Sequence, residues 1–221
     1  CGQMHVRKEV REMSPSEFRN FIDAIQELKS GTSPTRYDRY AQLHLRYQRD
    51  IHGNPHFFPW HRQFTLDLER DLQRINPSVT VPYWDWSLDA ANPADSPVLQ
   101  EDMMGGNSFG QCLESGPFAG WQRPYPSTGC LRRRYSQGSR IGAFANPSII
   151  NVMTVRSTEY DEFRRSIEIG PHAGPHNGIG ADMAGMQSPA DPLFFLHHSF
   201  IDKIWHDWQR TRPQNMYKFD G

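Results

Sequence analysis

Ten histidines punctuate the chain, and eight of them fall in two clusters. His44, His52, His56 and His61 lie in one half; His172, His176, His197 and His198 lie in the other. A single histidine on an apolar helix is ordinarily a core residue. Two clusters set among aromatic and apolar residues instead point to metal. His172 and His176 are four residues apart, so on a helical turn they face the same way. His198, from a separate apolar segment, can supply a third ligand. His44, His52 and His61 can converge in the same manner from two helices and their connection. Imidazole-only ligation suits copper or zinc. Magnesium and calcium want oxygen ligands, and di-iron bundles want Glu-x-x-His, for which neither Glu17 nor Glu69 has a partner. The hydrolytic zinc signature His-Glu-x-x-His is absent. Two three-histidine sets without a carboxylate favour redox copper over hydrolytic zinc.

The elements that must position these groups are mostly helical. Residues 14–29 read as a helix: Ser14 suits the N-cap, Pro15 the first position, and Glu17 completes a capping box. Phe18, Phe21, Ile22, Ile25 and Leu28 form its apolar stripe. A second helix is expected from about Thr35 to Arg49, with Tyr37, Tyr40, His44 and Tyr47 on one side. Gly53 and Pro55 break the chain, and a third helix is expected from Pro59, with Trp60, Phe64, Leu68 and Leu72 at helical spacing. Asn76-Pro77 closes it. Residues 79–84 read as a short extended piece, and residues 87–153 as mostly loop. A short helix is expected from Glu159 to Ile167. The last begins near Asp191-Pro192 and is apolar on most sides, so it should be deeply buried. The expected architecture is mainly α, an antiparallel four-helix bundle with long Gly/Pro-rich loops and little β.

A length of 221 residues favours a single domain, 1–221, with a substantial core. Net charge is -1, from 24 basic and 25 acidic residues, so no nucleic-acid partner is implied. No apolar run approaches the ~18 residues of a membrane span. Long loops are usually functional or stapled. Cys112 and Cys130 lie in the Gly/Pro-rich stretch, where a disulfide would contribute roughly 3 kcal/mol on the chain-entropy model. Cys1 is left to pair outside the chain or stay free. The start at Cys1, without an initiator Met, reads as a processed product. With the cysteines it suggests secretion; a reduced intracellular protein is the alternative. Arg132-Arg133-Arg134 reads as a solvated loop run.

The segment His52-Gly-Asn-Pro-His-Phe-Phe-Pro-Trp-His61-Arg62, followed by Phe64, Leu68, Glu69 and Arg70, resembles the first copper motif of tyrosinases, catechol oxidases and molluscan haemocyanins, the type 3 copper proteins. Pro82-Tyr83-Trp84-Asp85-Trp86 resembles the segment that follows it. The run from His172 and His176 through Asn177, Met183 and Asp191-Pro192-Leu-Phe-Phe-Leu to His197, His198 and Asp202 resembles the second motif. The motifs span about 37–75 and 165–208.

The resemblance implies two copper ions, one held by His44, His52 and His61, the other by His172, His176 and His198, with dioxygen as co-substrate. His197 is then a neighbour, and His5, His56 and His206 match no ligand position. It implies oxidation of small phenols or catechols to o-quinones; the alternative is a haemocyanin-like dioxygen carrier. By analogy Phe194 gates the pocket, unless it is plain core. Glu168 stands where some relatives hold a water-ordering Glu, unless it is a surface residue at a helix end. Asn177 follows His176, whereas the Asn proposed to assist that water follows the first histidine, here Ala173. Asp50 replaces the Cys that many relatives link to the second histidine of the first site. The sequence stops at Gly221, before the C-terminal β-domain that plugs the site in some relatives: either the protein lacks that lid or it was trimmed away. These departures favour the enzyme. Asp202 or backbone carbonyls are the expected partners that orient the imidazoles.

Overall fold

The computed structural model describes residues 5–220 and is mainly helical. The first helix, α1 (Pro15–Lys29), begins with the expected reciprocal cap: Glu17 N–H donates to Ser14 Oγ and Ser14 N–H to the Glu17 carboxylate. Its stripe of Phe21, Ile22, Ile25 and Leu28 is buried against α3 (Phe57–Ile75). Helix α2 (Asp38–Ile51) is entered through a second reciprocal pair, between Thr35 and Asp38. Helix α3 starts two residues before the expected Pro59 and packs along α7 (Leu193–Thr211), which is buried on most sides.

Between these pairs run α5 (Tyr160–Ile167), a π-helical turn over Glu168–His172, and α6 (Ala173–Ile179). Pro171 sits inside the π turn and has no N–H to donate, so the regular ladder cannot pass through it. Gly180 ends α6 at φ +68°; a Cβ there would lie 2.1 Å from the Arg134 carbonyl oxygen. Only glycine meets both demands. His44 and His52 come from α2 and its C-cap, His61 from α3, His172 from the π turn, His176 from α6, and His197 and His198 from α7.

The 87–153 segment is more structured than its composition suggests. It holds two short 3-10 turns, a two-residue hairpin pairing β1 (Gln122–Arg123) with β2 (Gly129–Cys130), and the start of α4 (Pro147–Arg156). Helix α4 is capped by the Asn146 side chain with Pro147 at its first position. Its β-branched content, Ile149, Ile150, Val152, Thr154 and Val155, reads as extended chain and conceals the helix. Cys112 and Cys130 are paired, with Cα atoms 5.3 Å apart; Cys1 lies outside the described residues.

The arginine run also needs correction. Arg133 is fully buried, makes a bidentate ion pair with Asp191 at 2.7 and 2.8 Å, and donates to the Met104 and Gly105 carbonyls. Asp191 Oδ1 in turn accepts the Leu193 N–H at the head of α7. This pair fastens the long loop to the helix that carries His198. The extended piece serves the same helix: Trp84 N–H donates to Leu196 O, seating Trp84 and Trp86 beneath α7. Among the described residues, no helix is long and apolar enough to cross a membrane.

Candidate metal centre

The fold gathers the histidines into two sets that could each hold a metal ion: His44, His52 and His61, and His172, His176, His197 and His198. Within each set the nearest ring nitrogens lie within 4.8 Å of one another. The sets adjoin, since the His61 and His198 rings stack with centroids 4.4 Å apart.

Backbone carbonyls fix five of the six expected ligand rings. The Nδ1–H groups donate to Met186 O from His44 (2.7 Å), Gln48 O from His52 (3.1 Å), Phe57 O from His61 (2.7 Å), Glu168 O from His172 (3.0 Å) and Met183 O from His176 (2.6 Å). A carbonyl only accepts, so each neutral ring carries its proton on Nδ1 and presents a lone pair at Nε2. Asp202, the other expected orienting partner, instead pairs with Arg62 and Arg7. Carbonyl partners leave no mark in a sequence. The loop 183–186 serves one ring of each set.

Burial lowers the pKa of every one of these rings: His44 to about 3, His176 to about 4, His52 below its ordinary value, and His61, His172 and His198 well below. All are therefore neutral near pH 7. The Nε2 atoms of His44 and His61 face each other at 3.4 Å, two lone pairs in a buried site. That contact is repulsive unless a cation lies between them. Two nitrogens bound about 2.0 Å from one ion sit roughly 3.3–3.5 Å apart at tetrahedral to trigonal angles. His172 Nε2 is buried without any partner, a further lone pair aimed at nothing the chain provides. In the second set, His176 and His198 bring their Nε2 atoms to 3.3 Å. The donor set thus fits metal, and its all-nitrogen character fits copper.

His197 is separated from His198 by the same tautomer logic. Trp86 Nε1–H donates to His197 Nδ1 at 3.0 Å. Indole is only a donor, so neutral His197 carries its proton on Nε2 and has no lone pair free for metal. Nothing in the spacing of Trp86 and His197, 111 residues apart, announced this contact.

Phe194 is fully buried, its ring centroid 4.1 Å from that of His198 and 5.3 Å from that of His44. It packs against imidazoles of both sets. Phe57 lies similarly against His61 and His172. Glu168 is buried, not a surface residue: one carboxylate oxygen accepts the Gly53 N–H and the other an Arg164 N–H, each at 2.7 Å. Asn177 is exposed. His56 is exposed and bonded to Asn54, and His5 and His206 are exposed, outside both sets.

Comparison with known proteins agrees with this geometry. The family model for the common central domain of tyrosinase matches residues 34–211. A tyrosinase of Streptomyces antibioticus is 34% identical over 241 residues, covering 97% of this chain and 86% of the relative. Among solved structures, a polyphenol oxidase from Thermothelomyces thermophila superposes with TM-score 0.80 at 25% identity, over 94% of this chain and 71% of that one. An octopus hemocyanin functional unit shares the fold, with TM-score 0.65 at 22% identity, over 93% and 53% of the two chains. Six inward-facing imidazoles in a helical core are the mark of the type 3 copper class. The chain belongs to the tyrosinase family, and it is a copper-dependent enzyme of phenol oxidation.

Proposed function

We propose that His44, His52 and His61 hold one copper ion and His172, His176 and His198 a second, and that the chain uses dioxygen to oxidise o-diphenols to o-quinones. The observation that carries this reading is the facing lone pairs of His44 and His61 at 3.4 Å. When bound, copper would supply the redox chemistry by which two diphenols yield four electrons and four protons to one dioxygen, giving two quinones and two waters. The protein's part is placement. Five backbone carbonyls hold the tautomers, burial keeps the rings neutral, and Phe57 and Phe194 exclude water from beneath them.

Monophenols should react more slowly. A monophenol must lose its proton before its oxygen can bind metal. With a pKa near 10, about one phenol in a thousand is ionised at neutral pH, and a general base typically contributes ~10²–10⁴-fold. Ala173 offers no hydrogen bond beside His172, Asn177 is exposed, and the Glu168 oxygens are engaged by Arg164 and Gly53. The Cys112–Cys130 pair supports placing the protein in an oxidising, secreted environment.

Oxygen uptake and quinone formation from catechol by the copper-loaded chain test this reading. His198→Ala should remove the activity, while His56→Ala should keep most of it. Absence of turnover at full copper loading, or loss of copper binding in His56→Ala, would overturn it.

A further inference from the structure

Of the six proposed ligands, His52 is the one with the least support from its own helix. It is the C-cap residue of α2, in extended conformation and only partly buried. Its ring bond to Gln48 O, at 3.1 Å, is the longest of the five ring-to-carbonyl bonds. Gly53, immediately after it, has φ +71° and nothing within 4 Å of where a Cβ would stand. Asn54 Nδ2–H donates to the His52 carbonyl at 3.0 Å and the Tyr160 hydroxyl donates to the Pro55 carbonyl, but the contact nearest His52 from the other half of the molecule is the 2.7 Å bond from Gly53 N–H to Glu168 Oε1 across 115 residues.

Glu168 is itself rigidly held. Its second oxygen accepts from Arg164, whose guanidinium is buried and also paired with Asp161. Its main chain opens the π turn, and its carbonyl oxygen accepts the Nδ1–H of His172 at 3.0 Å. One residue therefore touches both halves of the site: the carboxylate holds the corner after His52, and the carbonyl orients His172.

We propose that Glu168 is a positioning residue that sets His52 in register with the second histidine set, so that its carboxylate governs metal affinity at the first set selectively. The inference rests on the ligand assignment above. Removing the carboxylate frees the Gly53 corner and with it His52, whereas His172 keeps its bond because that acceptor is main chain. Loss of a partner that orients a ligand typically lowers metal affinity about 10–100-fold. The effect should fall on one ion of the two.

The test is a copper titration of Glu168→Ala and Glu168→Gln, read by bound metal and by the Cu(II) paramagnetic signal rather than by turnover. In Glu168→Ala the second set should fill with unchanged affinity and the first about 10–100-fold more weakly. Over that interval the chain holds one copper with a full, uncoupled signal. Glu168→Gln retains an oxygen acceptor for Gly53 N–H and should restore most of the first-set affinity. Should the alanine variant fail to fold because Arg164 loses its partner, Glu168→Leu with Arg164→Met removes both buried charges together and still leaves Gly53 N–H without an acceptor. Two equally tight copper ions in Glu168→Ala or in the double variant Glu168→Leu with Arg164→Met, or equal weakening at both sets, would overturn the proposal while leaving the ligand assignment standing. A wild-type chain that binds fewer than two copper ions would overturn the ligand assignment, and this inference with it.

Discussion

Acid should weaken the metal-free protein steeply between pH 7.5 and pH 5, and the histidines account for the slope. In the unfolded chain a histidine titrates near 6.5, whereas burial holds His44 at about 3 and His176 at about 4 in the folded protein. Below pH 6.5 the unfolded state therefore binds protons that the native state refuses, so stability falls as pH falls. At pH 5 an unfolded histidine is almost fully protonated and these two native rings are not. Each then costs about 2 kcal/mol relative to pH 7.5, and the pair about 4 kcal/mol. His61, His172, His197 and His198 are lowered by burial too and act in the same direction. Against a typical total of ~5–15 kcal/mol, that is enough to bring the metal-free chain close to unfolding. The assay is urea unfolding of copper-stripped protein at several pH values from 7.5 to 5.0. His44→Gln, which cannot take up that proton, should show a shallower slope. A flat profile, or stability that rises on acidification, would refute the burial argument.

Three further outcomes follow from single contacts. Arg133→Met should lower stability by about 3–5 kcal/mol in denaturant unfolding, because Asp191 is left charged and buried; a loss below ~1 kcal/mol would show that water reaches the carboxylate. Gly180→Ala should cost about 2–4 kcal/mol, since its Cβ would meet the Arg134 carbonyl at 2.1 Å and φ is +68°; thermal unfolding indistinguishable from wild type would mean that this turn yields easily. Ala173→Asn should raise kcat/KM for a monophenol more than for its matching catechol; an equal change on both would show that this position does not limit monophenol turnover.

The sequence was most readable where a local rule and a tertiary role coincide. Ser14-Pro15 with Glu17 marks the head of α1 because capping is decided within four residues. The aromatic and histidine spacing of α3 and α7 marks helices whose buried faces also carry His61 and His198. Reading failed where the deciding partner is distant or is main chain. Arg133 looks solvated until Asp191, 58 residues on, is seen beside it. Helix α4 has a local cap at Asn146, but its β-branched residues point the other way. The π turn follows from Pro171 acting within a helix, which spacing alone does not distinguish from a break. The histidine sets were legible by type and position. The carbonyls of Met183, Met186 and Phe57 that orient them belong to residues whose side chains say nothing of the role.

The central claim is that six neutral imidazoles face two adjoining metal positions. Its most direct test is a copper titration of the metal-free chain, following bound metal and the Cu(II) paramagnetic signal together. The expected result is two copper ions per chain with most of the signal absent, because adjoining sets of ligands bring the two spins close enough to couple. One ion per chain, or two with the full signal of independent Cu(II), would contradict it.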